Sequence, residues 1–172
     1  MTIDRSKLLN FHCPRWNELP DFDIYMDQVI IFINTHIDAL NIADGDKPIT
    51  ASMVNNYVKN SIVKAPIKKH YKKYHVAFLI VVSILKKSFS LSEISKMIEV
   101  QTNMKKSDLE IAYDTFAYYF EKSLHDIIEK GHFDESDNSE ELHRHLLISV
   151  IHTTVLKIYT QIELADEKYY KS

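Results

Sequence analysis

Glycine and cysteine are nearly missing from this chain. Its 172 residues include two glycines, four prolines and one cysteine. With only Gly45 and Gly131 to draw on, no glycine-rich loop can cradle a phosphate, and tight strand-joining turns are scarce. Long periodic segments dominate instead, which points to an all-α fold. The single thiol, Cys13, excludes an internal disulfide framework and fits a reducing, cytoplasmic setting. No window approaches the roughly 18 apolar residues of a membrane span. The richest run, Val76–Leu85, is ten long and suits a buried core helix. Residues 1–20 hold no apolar signal core, so secretion is not expected.

What is present is a segregated charge. Residues 46–106 hold twelve lysines against three acids, +9, and the remainder of the chain carries −12, giving the net −3. A basic middle between acidic ends is the usual footprint of attraction to phosphate. Its plainer reading is a solvated lysine face.

Taken in order, residues 1–22 are broken by Pro14 and Pro20. Asp23 can cap a helix over 24–40, with Met26, Ile30, Ile33, Ile37 and Leu40 as its buried stripe. Thr50 is a good N-cap for a short helix over 51–60. Ala51, Val54 and Val58 share one face of it, and Ser52, Asn55, Asn56 and Lys59 the other. Asparagine can pair with an adenine edge through two hydrogen bonds, while serine and lysine reach phosphate or guanine. Pro66 ends the helical stretch. Around it Lys64, Lys68, Lys69, Lys72 and Lys73 form the densest positive patch, with Tyr71 and Tyr74 interleaved and a short β-ribbon expected over 67–71. Such lysines suit phosphate contact, which positions a protein on a duplex more than it reads bases.

A core helix is expected over 74–86 with Phe78, Leu79, Val82 and Leu85 inside. Ser90 and Glu93 make a capping box for the next helix. Val100 to Lys106 reads as a connector between a head (1–100) and a C-terminal part (101–172). There, Ser107 with Glu110 opens a helix to about Lys130, closed by Gly131. A last helix, capped by Asn138 or Ser139, runs to about Glu167. Its inside positions read as Leu142, Leu146, Val150, Thr153, Leu156, Tyr159 or Thr160, and Leu164. The pair reads as an antiparallel hairpin, with a homodimer expected through 107–168.

The middle of the chain resembles the DNA-binding domain of MerR-type regulators. Tyr57, Ser61-Ile62-Val63, Pro66 and Lys69-His70-Tyr71 stand where that family has an aromatic, a Gly-Leu-Ile-like turn, a proline and an Arg-x-Tyr wing. Leu79, Val82 and Leu85 follow Tyr71 by 8, 11 and 14 residues, as in its long helix, and Leu91 and Ile94 match its last helix. Lysine replaces the arginines, and two of the family's glycines are absent. PRWNELPDFDIYMDQV followed by ITASMVNNYVKN is similar to an uncharacterised bacterial family of predicted MerR-like regulators. The resemblance implies a winged helix-turn-helix head with a small β wing. Residues 24–60 would supply the helix-turn-helix, binding double-stranded DNA through Ser52, Asn55, Asn56, Lys59, Lys64, Lys68, Lys69, Tyr71, Lys72 and Lys73. The rival reading is an interaction module that docks an acidic protein on the basic head.

Chemistry is not expected. The nine histidines lack an HExxH pattern or an i,i+4 pair, so neither metal nor cofactor is assigned. His12 beside Cys13 lacks the rigid elbow of a nucleophile. The C-terminal aromatics Tyr113, Phe116, Tyr118, Tyr119, Phe120 and Tyr159 read first as core or dimer seam, and second as the lining of a small-molecule effector pocket.

Overall fold

The computed structural model describes residues 3–42, 45–103, 108–134, 142–166 and 170. Helices are α1 (Arg5–Leu9), α2 (Met26–Ile37), α3 (Ala51–Lys59), α4 (Lys73–Leu85), α5 (Leu91–Thr102), α6 (Leu109–Lys130) and α7 (Leu142–Ala165). Among the described residues, paired extended backbone is confined to two isolated bridges, Ile24 with Tyr71 and Ile67 with His70. The fold is all-α, and no described helix is long and apolar enough to cross a membrane.

Local signals set most helix ends. Thr50 Oγ1 accepts the Met53 N–H at 3.3 Å, and Ser90 and Glu93 cap each other at 3.2 and 2.7 Å. Gly131, at φ 77°, closes α6. Two starts differ from expectation. α2 begins after Tyr25 rather than Asp23, because Ile24 is held extended by its two backbone bonds to Tyr71, of 3.0 and 2.8 Å. α6 is capped by Asp108, which accepts from the Glu110 and Ile111 N–H groups. Ser107, Asn138 and Ser139 lie outside the described residues.

α4 occupies the centre. Its buried set, His75, Val76, Ala77, Leu79, Ile80, Val82, Ile84 and Leu85, faces nearly every direction, as a helix enclosed by others requires. Asn34 fastens α2 to the chain entering α3: its Nδ2 donates to the Ile49 carbonyl at 3.1 Å and its Oδ1 accepts the Ile49 N–H at 2.9 Å.

The C-terminal part departs from the sequence reading in three ways. α5 continues through Thr102, past the expected start of the connector at Val100, and buried residues on both sides of it belong to one hydrophobic cluster. Residues 11–16 lie along α6: Cys13 N–H donates to Glu121, Trp16 N–H to Asp114 and Tyr113 O–H to the Pro14 carbonyl, at 2.7–2.9 Å. Second, α6 and α7 do not form an antiparallel hairpin. The beginnings of both, Leu109–Phe116 and His143–Val150, line one cavity. Farther along, Phe133 stacks on His152, and Lys122 and Lys130 hold Asp134 beside α6. Residues 131–134 thus turn back along α6, and the two helices run in the same general sense.

Third, the buried face of α7 is Val150, Ile151, Thr154, Val155, Ile158 and Ile162. Of the residues expected inside, only Val150 is buried. Leu142, Leu146, Leu156 and Leu164 are exposed, as are Thr153 and Thr160. α7 carries two apolar stripes on opposite sides, and periodicity alone could not say which one the fold would cover.

Candidate nucleic-acid interface

The basic region is one continuous path from α3 through a hairpin into α4. α3 presents Ser52, Asn55, Asn56 and Lys59 to solvent and buries Val54 and Tyr57. Asn60 caps its end and donates from Nδ2 to the Asn56 carbonyl (2.8 Å) and Oδ1 (3.0 Å), orienting the Asn56 amide. The chain then reverses through Ser61, which sits at φ 57°. The Ile62 N–H bonds the Tyr57 carbonyl at 2.9 Å and the Ser61 N–H the Val58 carbonyl at 3.0 Å, a Schellman motif with serine where glycine is usual. That geometry accounts for a glycine-like site at a position where the sequence has none. Ile62 and Val63 drop into the core and bind the turn to it.

The hairpin is minimal. Ile67 and His70 exchange both backbone bonds, 3.0 and 2.9 Å. The two residues between them, Lys68 and Lys69, lie at φ 49° and 65°. Two left-handed residues in a two-residue loop make the turn type whose twist suits paired strands, normally built from Asn-Gly. Lysine there costs backbone strain, of about 1 kcal/mol per residue. Both lysines are exposed at the tip. Beside them the His70 ring packs against the exposed Tyr25 ring, centroids 4.5 Å apart. Tyr25 was invisible as a site residue because the sequence placed it inside a helix.

His75 supports the hairpin from beneath. It is fully buried; its Nδ1 accepts the Lys72 N–H at 2.9 Å, leaving Nε2–H to donate to the Ala65 carbonyl at 3.1 Å. Burial holds its pKa below the ordinary 6.5, helped by Lys64 and Lys72. The neutral ring therefore joins the chain before the hairpin to the start of α4.

Not every expected contact residue is available. Tyr71 is 2% exposed, with its backbone paired to Ile24; it is a core residue, and its assignment to the binding surface is corrected. Lys73 pairs with Asp21 and lies 5.9 Å from the Trp16 ring centre, so it fastens the N-terminal segment. Lys59, Lys64, Lys68, Lys69 and Lys72 remain exposed, and none of the ion pairs among the described residues involves them. Lys64 rests over Tyr74 and the exposed Lys86 over Tyr57; the latter was not foreseen.

No set of three His, Cys, Asp or Glu side chains among the described residues is arranged to hold a metal. The Cys13 thiol is buried and burial pushes its pKa up to about 12, which keeps it a poor nucleophile.

Fold and surface together define an all-helical protein with a lysine-tipped hairpin set between a short polar-faced helix and a buried central one. The chain belongs to the family described as a domain of unknown function (DUF1836), whose model matches residues 14–119. No curated protein and no solved structure matches it. The matched stretch runs from Pro14 through the basic region and into α6, so the family unit includes the clasp between residues 14–16 and α6.

Proposed function

We propose that this protein is a sequence-specific, double-stranded DNA-binding transcriptional regulator with a MerR-like winged helix-turn-helix head. In this reading α2 and α3 are the helix pair, α3 enters the major groove, and the hairpin 67–70 is the wing. The observation that carries it is the set of five exposed lysines without carboxylate partners among the described residues, spread along the α3–hairpin–α4 path beside an exposed Ser/Asn helix face. Unneutralised lysines at a rigid, strained turn suit phosphate, because the turn fixes where the charges stand. Ser52, Asn55 and Asn56 would meet base edges or sugar-phosphate, and Lys59, Lys64, Lys68, Lys69 and Lys72 the backbone. The reading assigns no catalytic step.

A homodimer fits the outer stripe of α7. Leu142, Leu146, Ser149, Thr153, Leu156, Thr160 and Leu164 recur at spacings of three and four along one uncharged, exposed side. Two heads joined through such stripes would match a two-fold operator.

The test begins with selection of bound fragments from random duplex DNA, followed by fluorescence anisotropy across a salt series. With five phosphate contacts per head, log K should fall with log salt at a slope of about −4.5. Lys68→Glu with Lys69→Glu should remove binding to every duplex. Asn55→Ala should mainly relax sequence preference, costing about 1–3 kcal/mol at the preferred site. No retention of duplex at low salt, or a slope near zero, would overturn the reading; capture by acidic proteins under the same conditions would favour a protein-docking head.

A further inference from the structure

Where α4, α5, α6 and α7 meet, the packing leaves a cavity of about 130 Å³. Phe78 and Val81 face it from α4, Met97 from α5, Ala112 and Phe116 from α6, and Leu147 from α7. Among the described residues no Lys, Arg, Asp or Glu lines it, and its polar side chains are Gln101, His143 and Tyr113, whose hydroxyl is taken by the Pro14 carbonyl. Its exposed lining residues, Val100, His143 and Leu146, mark the mouth. The space is open on one side, and its size compares with the enclosed apolar cavity of roughly 150 Å³ that accepts a benzene-sized molecule.

The wall formed by α5 is loosely held. Of its twelve residues only Ile94 is fully buried, while Met97 and Ile98 are half-buried against the empty space. A guest here would complete the packing of α5. It would also touch α4, whose first turn carries His75 beneath the hairpin.

We propose that this cavity is a binding site for a small, uncharged aromatic compound with one hydrogen-bonding group, of about the size of benzyl alcohol. Its volume holds a ring and not a long acyl chain. Phe78 and Phe116 offer ring edges and faces, and the Met97 sulfur favours an aromatic neighbour. Gln101 supplies a donor and an acceptor for the single polar group. Among the described residues no carboxylate, ammonium or guanidinium stands in the walls to offset the desolvation of an ion, which favours an uncharged guest. The proposal does not depend on the duplex-binding reading.

The site has its own reporter. Trp16, the chain's one tryptophan, packs edge-on against Tyr113, centroids 6.2 Å apart, and Tyr113 lines the cavity. Benzyl alcohol and benzoate are titrated onto the full chain without DNA, reading Trp16 fluorescence and heat. Saturable uptake of benzyl alcohol is expected, with benzoate at least about tenfold weaker. Ala112→Leu, which fills the cavity, should weaken benzyl alcohol by about tenfold or more while the protein still unfolds cooperatively. Met97→Ala enlarges the site and should make 2-naphthalenemethanol bind about tenfold tighter than it binds the unaltered chain. No saturable uptake by the unaltered protein overturns the proposal. So does uptake that Met97→Ala leaves unchanged in both ligands, whether or not Ala112→Leu folds.

Discussion

Replacing the hairpin tip with Lys68→Asn and Lys69→Gly should make the protein more stable and a worse binder of DNA. Both lysines occupy left-handed backbone, at φ 49° and 65°. Glycine at the second position relieves strain of about 1–2 kcal/mol but adds unfolded-state entropy worth roughly 0.5–1 kcal/mol. Asparagine at the first relieves a few tenths more, since it tolerates this region. The net gain is about 1 kcal/mol, which in a chain of this size raises Tm by roughly 2–4 °C. Neither lysine side chain forms an ion pair among the described residues, so little packing is lost in exchange. Two of five proposed phosphate contacts disappear, and the salt slope should shrink from about −4.5 to about −2.7 per head. Denaturant melts and anisotropy across a salt series read the two effects separately. A loss of stability would refute the strain argument. An unchanged salt slope would refute the phosphate role of the tip, even with the stability gain intact.

Ser61→Gly should stabilise the chain by about 0.5–1 kcal/mol, because the Schellman site at φ 57° suits glycine; a destabilised variant in a urea melt would count against that geometry. Burial depresses the pKa of both His75 and His152 below 6.5. The unfolded chain therefore binds more protons as pH falls. The stability these rings confer is complete above about 6.5 and is lost as pH drops through the folded values, by no more than about 1.4 kcal/mol per pH unit for each ring. NMR titration showing the His75 ring ionising above 6.5 would contradict this. Leu156→Glu places a charge in the middle of the outer α7 stripe, where Leu156 is 44% exposed in the single chain. Sedimentation should then show monomer with an unchanged helical content, and a dimer that persists would move the seam elsewhere.

Much of the local structure was legible in the residues themselves. Thr50, the Ser90–Glu93 pair and Gly131 mark helix ends through bonds to neighbours three or four residues away, so the information lies where the structure forms. The exposed face of α3 follows equally from spacing. The β-ribbon expected over 67–71 is a single bridge between Ile67 and His70, with Tyr71 paired to Ile24 instead; the left-handed Lys68 and Lys69 were not visible, since nothing in their chemistry asks for that backbone.

Four features came from the tertiary structure alone. Tyr71 lies inside because its backbone pairs with Ile24, nearly fifty residues away. Lys73 is engaged because Asp21 and Trp16 reach it. α7 offers two uncharged stripes, and the one bearing Ile151, Val155 and Ile158 was covered because α6 runs beside it in the same sense. The cavity exists because four helices meet without filling their junction. Short-range hydrogen bonding and helical spacing are properties of a few adjacent residues and could be read in order. Which faces are covered depends on the simultaneous fit of segments far apart in the chain, and only the assembled fold decides it.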